Sequence, residues 1–176
     1  MIMTPGFRKI ALVTHIVSSV GSLGAVAGFL ALAVVGLTSQ DAQVMRSLYV
    51  AMEVIARLVV LPLVFASLLT GLIQSLGTTW GLFRHYWVLV KLLLTFFVLI
   101  VLLLQMEGIS YMATASAGTT LLNTDLLGLR RSLVIHAAGG LLVLLATTML
   151  SVYKPHGMTR YGWRKHQERQ RGQDII

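Results

Sequence analysis

Four runs of apolar residues, interrupted only by isolated polar positions, organise the chain; they fall at about 10–37, 49–76, 82–106 and 133–153. A helix needs roughly 20 mainly apolar residues to cross the hydrocarbon core of a bilayer, so each run predicts a membrane span. The first run is longer than the apolar stretch of a signal peptide and has no small-residue cleavage motif after it, so it reads as a mature helix. The connections are short except for 107–128, where Thr124 and Asp125 ahead of Leu126, Leu127 and Leu129 have the form of a capped helix start that leads into the fourth span. No internal repeat and no second domain are visible. The expected fold is all-α: an integral-membrane antiparallel four-helix bundle over 1–153, followed by a polar, basic tail over 154–176.

Composition identifies the solvent. Of 176 residues, 56% are hydrophobic and 11% charged, less than half the roughly 25% of an ordinary soluble chain. The mean hydropathy is +0.82. The expected partner is therefore the lipid bilayer, as a multi-pass protein. The net charge of +8 is unevenly placed. Arg8, Lys9, Arg84, Lys154, Arg160, Arg164, Lys165, Arg169 and Arg171 gather on one side of the spans, against Arg46, Arg130 and Arg131 on the other. Basic residues favour the cytoplasmic side, so both termini are expected there. The tail reads as an anchor on anionic lipid rather than as a nucleic-acid site. With no cysteine there is no disulfide, thiolate metal site or iron–sulfur cluster, and any redox role has to come from a bound cofactor. Phosphate-cradling glycine loops, a metalloprotease helix, a nucleophile elbow and paired carboxylates are all missing, which argues against hydrolysis and nucleotide chemistry.

Polar groups inside a span are costly and tend to face the bundle interior, so their angular spacing is informative. In the first span His15, Ser18, Ser19 and Ser22 form one stripe, while Gly21, Gly24 and Gly28 form a thin face suited to close helix packing or a homodimer contact. In the second, Glu53 and Arg57 are spaced to pair, either as an interfacial ion pair or with Arg57 steadying an anionic group such as a haem propionate; Pro62 is expected to bend the helix. In the third, Arg84, Trp87, Lys91, Thr95 and Gln105 share a side that excludes His85. Lys91 either snorkels or binds an anion or substrate. In the fourth, His136, Gly139, Gly140, Val143 and Thr147 share a face, where the glycines leave a trough that suits a planar macrocycle or, alternatively, serve helix packing.

Imidazole is the usual axial ligand of a b-type haem. His156 and His166 lie in the tail, which leaves His15, His85 and His136 as candidates for holding a metal. At ~1.5 Å per residue, His15 and His85 lie roughly 13 and 15 Å from the centres of their spans toward the terminal side, and His136 roughly 10 Å toward the other side. One haem on His15 with His85 is therefore allowed, as is a second site on His136 with Met106, Gln105 or no second ligand. His15 and His136 are not expected to share an iron.

The patterns His15-x-x-x-Ser19-x-Gly21-x-Leu23-Gly24 and Trp87-x-x-x-Lys91-Leu92-x-Leu94-Thr95 resemble a broad group of four-helix bacterial membrane proteins that includes HemJ-type protoporphyrinogen oxidases and CopD-type copper-resistance proteins. The whole chain, including 77–95, 136–140 and 151–155, looks like an uncharacterised actinobacterial-type family in that neighbourhood. The resemblance implies a bacterial cytoplasmic-membrane protein with haem b on His15 and a functional Lys91. The chain departs from the HemJ-type pattern at Leu23, where tryptophan is common, and at Gln105, where a histidine is often found. The leading expectation is a haem b protein in electron transfer or oxidoreduction, with His15, His85 and His136 as ligands, Arg57, Gly139 and Gly140 at the cofactor, Lys91 as the catalytic candidate, and a quinone or protein redox partner. The alternatives are an accessory or assembly subunit, and CopD-like metal permeation, against which the lack of a repeated thioether motif counts.

Overall fold

A computed structural model of the chain describes residues 3–77, 82, 83, 85–115, 124–153, 157, 159, 162–164, 167 and 170. The basic residues Arg84, Lys154, Arg160, Lys165, Arg169 and Arg171, the histidines His156 and His166, and the capping side chains expected at Thr124 and Asp125 lie outside the described residues. Among the described residues, four helices are long and apolar enough to cross a membrane. The first is Pro5–Thr38. The second is Ala42–Gly77, the third Tyr86–Ala115 and the fourth Thr124–Tyr153. The first packs against the second and fourth, the third packs against the same two, and the first and third sit on the diagonal. This is the expected antiparallel four-helix bundle, and it brings the start of the first span and the end of the fourth to one end of the molecule.

The bundle is apolar outside as well as inside. Leu104 is 75% exposed and Leu142 67%, an arrangement that only a lipid environment stabilises. Gly24 and Gly28 are exposed too, with no atom of the chain near the position of a Cβ, whereas Gly21 abuts Leu63. The expected glycine face is therefore split between an internal helix contact and the outer surface.

Several helix ends differ from expectation, and three of the shifts have a local cause. The first span begins at Pro5, because proline suits the first helical turn, where its missing N–H is not needed. The second begins seven residues earlier than expected, because Asp41 Oδ1 accepts from the backbone N–H groups of Gln43 (2.8 Å) and Val44 (3.2 Å) and so caps the orphan donors. The third starts at Tyr86, later than expected, and continues nine residues past its expected end, through what looked like a loop. In that extension Ile109, Met112 and Ala113 are buried, a spacing of three and four that keeps one face on the core. Helices of 30 to 36 residues are about 45–54 Å long, against a hydrocarbon core of ~30 Å, so the extra turns project beyond it. Pro62 does not simply bend the second span. The turn before it, Ala56–Val60, is π-helical, with Leu61 N–H donating to Ala56 O, which re-partners the backbone where proline has no donor.

At the end where the first span stops, Met45, Tyr49, Met52 and Met112 are fully buried with Phe29, Ala33, Ile109 and Leu133. Arg130 enters this core with 5% of its surface exposed. Its Nη2 donates to the carbonyl oxygens of Gly36 (2.5 Å), Leu37 (3.0 Å) and Ser39 (3.4 Å), and its Nε to Tyr49 Oη (3.1 Å). A helix C-terminus carries unsatisfied carbonyls and partial negative charge, so a guanidinium from the fourth span completes the end of the first. Gly36 permits this approach, since a Cβ there would lie 3.1 Å from Tyr49 Oη.

Replacing Arg130 by leucine is expected to strand those carbonyls and cost about 2–3 kcal/mol, while Tyr49→Phe costs about 1 kcal/mol. Thermal unfolding in detergent checks both; an Arg130→Leu midpoint equal to that of the unmodified protein would show that the clamp does not stabilise the bundle.

Candidate functional site

Among the described residues, a polar and an apolar chamber lie between the helices at different depths. The polar chamber, toward the terminal end, has a volume of about 40 Å³ and takes Ser19 and Ser22 from the first span, Ser67 from the second, Lys91 and Thr95 from the third, and Thr147, Thr148 and Ser151 from the fourth, with His15 in its wall. By the measure of one water per roughly 10–15 Å³, it holds three or four water-sized atoms.

His15 is held by the second span. Its Nδ1 lies 3.0 Å from Ser67 O and 3.1 Å from Thr70 Oγ1. A carbonyl only accepts, so Nδ1 carries the hydrogen and Nε2 is the ring atom left for chemistry. The Thr70 hydroxyl is turned to Ala66 O (2.6 Å) and so presents a lone pair to the ring. Gly71 makes room, since a Cβ there would be 3.2 Å from His15 Cε1. Ser19 and Ser67 hydroxyls meet at 2.8 Å. Lys91 donates to Ser151 Oγ and sits 6.0 Å from the Trp87 ring centroid, within reach of a cation–π attraction. The Ser151 hydroxyl in turn donates to Thr147 O (3.0 Å).

The apolar chamber measures about 330 Å³ and is walled by Val26 and Phe29, Ala56 and Val60, Phe97 to Ile109 of the third span, and Leu133 to Val143 of the fourth. Its side-chain polar groups are Gln105 and His136. His136 repeats the arrangement of His15 within one helix. Nδ1 lies 2.8 Å from Ser132 O and 3.1 Å from Ser132 Oγ, which again places the hydrogen on Nδ1 and leaves Nε2 available. A Cβ at Gly139 or Gly140 would meet nothing within 4 Å, so the wall beside the imidazole is flat. Phe97, Ile135, Gly139 and His136 itself are exposed on the outer surface, so the imidazole stands at a mouth that opens toward lipid.

The residues expected from the sequence thus separate into groups. His15 and Lys91 share the polar chamber; His136, Gly139, Gly140 and Gln105 share the apolar one. The single face expected on the fourth span exists, but depth divides it: Val143 lines the apolar chamber and Thr147 the polar one. His15 and His136 do not meet, as their depths implied. His85 is not in the wall with His15; its ring packs against Trp87 at 6.4 Å between centroids. Met106 packs into the core cluster rather than the apolar chamber. Arg57 is in neither wall. Its Nη2 donates to Glu53 Oε1 (3.2 Å) and Ser110 Oγ (3.0 Å), and Ser110 donates to Glu53 Oε1 (2.6 Å). Sequence reasoning missed Ser110, which is 53 residues from Arg57 and 57 from Glu53, and Ser151, whose i+4 spacing from Thr147 was a usable signal. Among the described residues no three His, Asp or Glu side chains converge, so each imidazole stands as a single nitrogen ligand.

Nitrogen-15 spectra of histidine-labelled protein in bilayers are expected to show both His15 and His136, in their neutral forms, protonated on Nδ1. An Nε2-protonated ring at either position would contradict the assigned geometry. The chain matches no protein-family model, and comparison with curated proteins and with solved structures returns no match, so the two chambers are the basis on which function is argued.

Proposed function

We propose that this chain is a haem b protein of the bacterial cytoplasmic membrane, with both termini on the cytoplasmic side, holding one haem in the apolar chamber through His136 Nε2 and transferring electrons within the bilayer. The observation that carries the reading is an imidazole whose Nδ1 is tied to Ser132 O at 2.8 Å beside an apolar chamber of about 330 Å³. A donor imidazole whose other nitrogen is anchored to a carbonyl is the usual arrangement of a metal-holding histidine, because the second bond fixes both tautomer and orientation. The volume falls within the roughly 300–1,000 Å³ of small-molecule sites.

The residues fit one face of such a group, the remainder of which would extend through the mouth toward lipid. Gly139 and Gly140 give a macrocycle a flat wall, and Val26, Phe29, Val60, Val98 and Val143 exclude water from it. Gln105 is the other polar side chain that a ligand in the chamber can meet. When bound, haem would supply one-electron chemistry. The mouth rimmed by Phe97 and Ile135 favours a partner that arrives through the lipid, such as a quinone, or a membrane redox protein docked there. Arg57, engaged by Glu53 and Ser110, is left out of the haem contacts. The 40 Å³ of the polar chamber does not accommodate a macrocycle, which favours His136 over His15.

Protein produced with ample haem is expected to show a Soret band that His136→Ala removes. Gly140→Leu, which fills the chamber, is expected to weaken haem binding at least about tenfold. His15→Ala and Ser132→Ala are expected to keep the band, the latter because the Ser132 carbonyl remains. A band that survives His136→Ala and disappears with His15→Ala would overturn the assignment.

A further inference from the structure

Among the described residues, Lys91 has no counter-charge. It lies five residues inside the third span, about 8 Å along the helix, and its hydrogen-bond partner among the described residues is the neutral Ser151. No Asp or Glu lines its chamber. The acidic side chains among the described residues, Asp41, Glu53 and Glu107, all belong to the opposite end of the bundle, where Asp41 caps a helix and Glu53 holds Arg57 and Ser110. A charge in an apolar interior requires a partner of opposite sign or loses its proton. The chamber is therefore electrically incomplete around Lys91.

The hydroxyl directions restrict what completes it. Ser22, Thr95, Thr147, Thr148 and Ser151 all donate to carbonyls of their own helices, so they offer lone pairs only. The donors left are two Lys91 N–H bonds and one O–H, because in the Ser19–Ser67 pair one hydroxyl donates to the other and the second hydrogen is uncommitted. His15, with its hydrogen on Nδ1 toward Ser67 O, leaves Nε2 as an acceptor. A complementary ligand thus carries negative oxygens for Lys91 and the serine pair, carries one hydroxyl hydrogen for His15 Nε2, and is no larger than about four heavy atoms in a volume of about 40 Å³.

We propose that the chamber formed by His15, Ser19, Ser67, Lys91 and Ser151 is a binding site for a small hydroxylated oxyanion of the hydrogencarbonate class. The anion supplies the counter-charge to Lys91 and donates its O–H to His15 Nε2. The site is separate from the apolar chamber: His136 and Thr147 are about 16 Å apart along the fourth span, and no step at one requires occupancy of the other. A lipid phosphate group, with its ester arms, exceeds the chamber's volume.

Infrared difference spectroscopy on the protein in zwitterionic bilayers, perfused in turn with hydrogencarbonate, its carbon-13 form and nitrate at constant ionic strength and pH, tests this directly. Nitrate has the same charge, the same planar shape and the same four heavy atoms, but no hydrogen. The expected result is a saturable, isotope-shifted band of bound hydrogencarbonate, with nitrate binding roughly tenfold or more weakly, because a site built around a ligand hydroxyl rejects the analogue that lacks it. Equal responses to the two anions, or no saturable band, overturn the proposal, and this comparison requires no variant. Lys91→Met is expected to abolish the band, and His15→Leu to remove the preference over nitrate. Persistence of the band in Lys91→Met, with an unchanged unfolding midpoint, would also overturn it. The Soret measurements on His136 variants are unaffected by either outcome.

Discussion

The arrangement depends on one buried guanidinium. Helices in lipid gain little from the hydrophobic effect between themselves, because the surrounding acyl chains are as apolar as their own side chains. Alignment then falls to packing and to a few polar contacts. Arg130 makes the most consequential of these, since it satisfies carbonyls of Gly36 and Leu37 at the end of the first span while donating to Tyr49 of the second. Three helices are thereby pinned at one end. Since a helix advances ~1.5 Å per residue without slack, pinning at Arg130 also sets which residues of the fourth span face the first and third at the far end. Thr147 and Ser151 reach Lys91's chamber because of a register set more than four turns away.

That register divides one continuous interior into two environments. Around the π-helical turn and Pro62 the second span contributes Ala56 and Val60, and the fourth contributes Gly139 and Gly140, so small residues on facing helices leave space and the walls are hydrocarbon. One or two turns further along the first, third and fourth spans, Ser22, Thr95 and Thr147 take over, the helices close in, and the remaining volume is small and polar. The two histidines are prepared alike, each with Nδ1 committed to a main-chain carbonyl, yet they face opposite dielectric surroundings. An imidazole facing an apolar chamber suits a bulky apolar cofactor that brings its own metal. One facing hydroxyls and an ammonium suits a small polar ligand. The same side-chain chemistry therefore offers two kinds of site because the packing around it differs.

Most of this organisation was legible in the sequence at the level of faces. The four spans follow from apolar run length, and the stripes of His15 with Ser19 and Ser22, of Lys91 with Thr95, and of His136 with Gly139 and Gly140 follow from helical periodicity, because intramembrane polar residues are few enough for each to be informative. Depth within a stripe was less legible. Gln105 and Lys91 share a face of the third span but open onto different chambers, a distinction set by neighbouring helices. Arg130 was read only as a charge near a span end, although its spacing of three and seven from Leu133 and Ala137 puts it on the buried face. Its partners, the carbonyls of Gly36 and Leu37, have no side-chain signature. The extension of the third helix was hidden because Glu107 and Gly108 interrupt the apolar run, while Ile109, Met112 and Ala113 carry the core-facing pattern onward in too few residues to stand out.

On the proposed function, His136 Nε2, and no other imidazole of the chain, would hold the haem in the apolar chamber. The most direct measurement is chemical rescue. His136→Gly opens a cavity where the ring stood, next to the flat wall of Gly139 and Gly140, and imidazole added to this variant in the presence of haem is followed by visible spectroscopy. The expected result is no native spectrum without imidazole and its recovery, saturably, when imidazole is supplied. A His136→Gly protein that shows the native spectrum unaided, or that imidazole leaves colourless while the bundle remains folded, would contradict it.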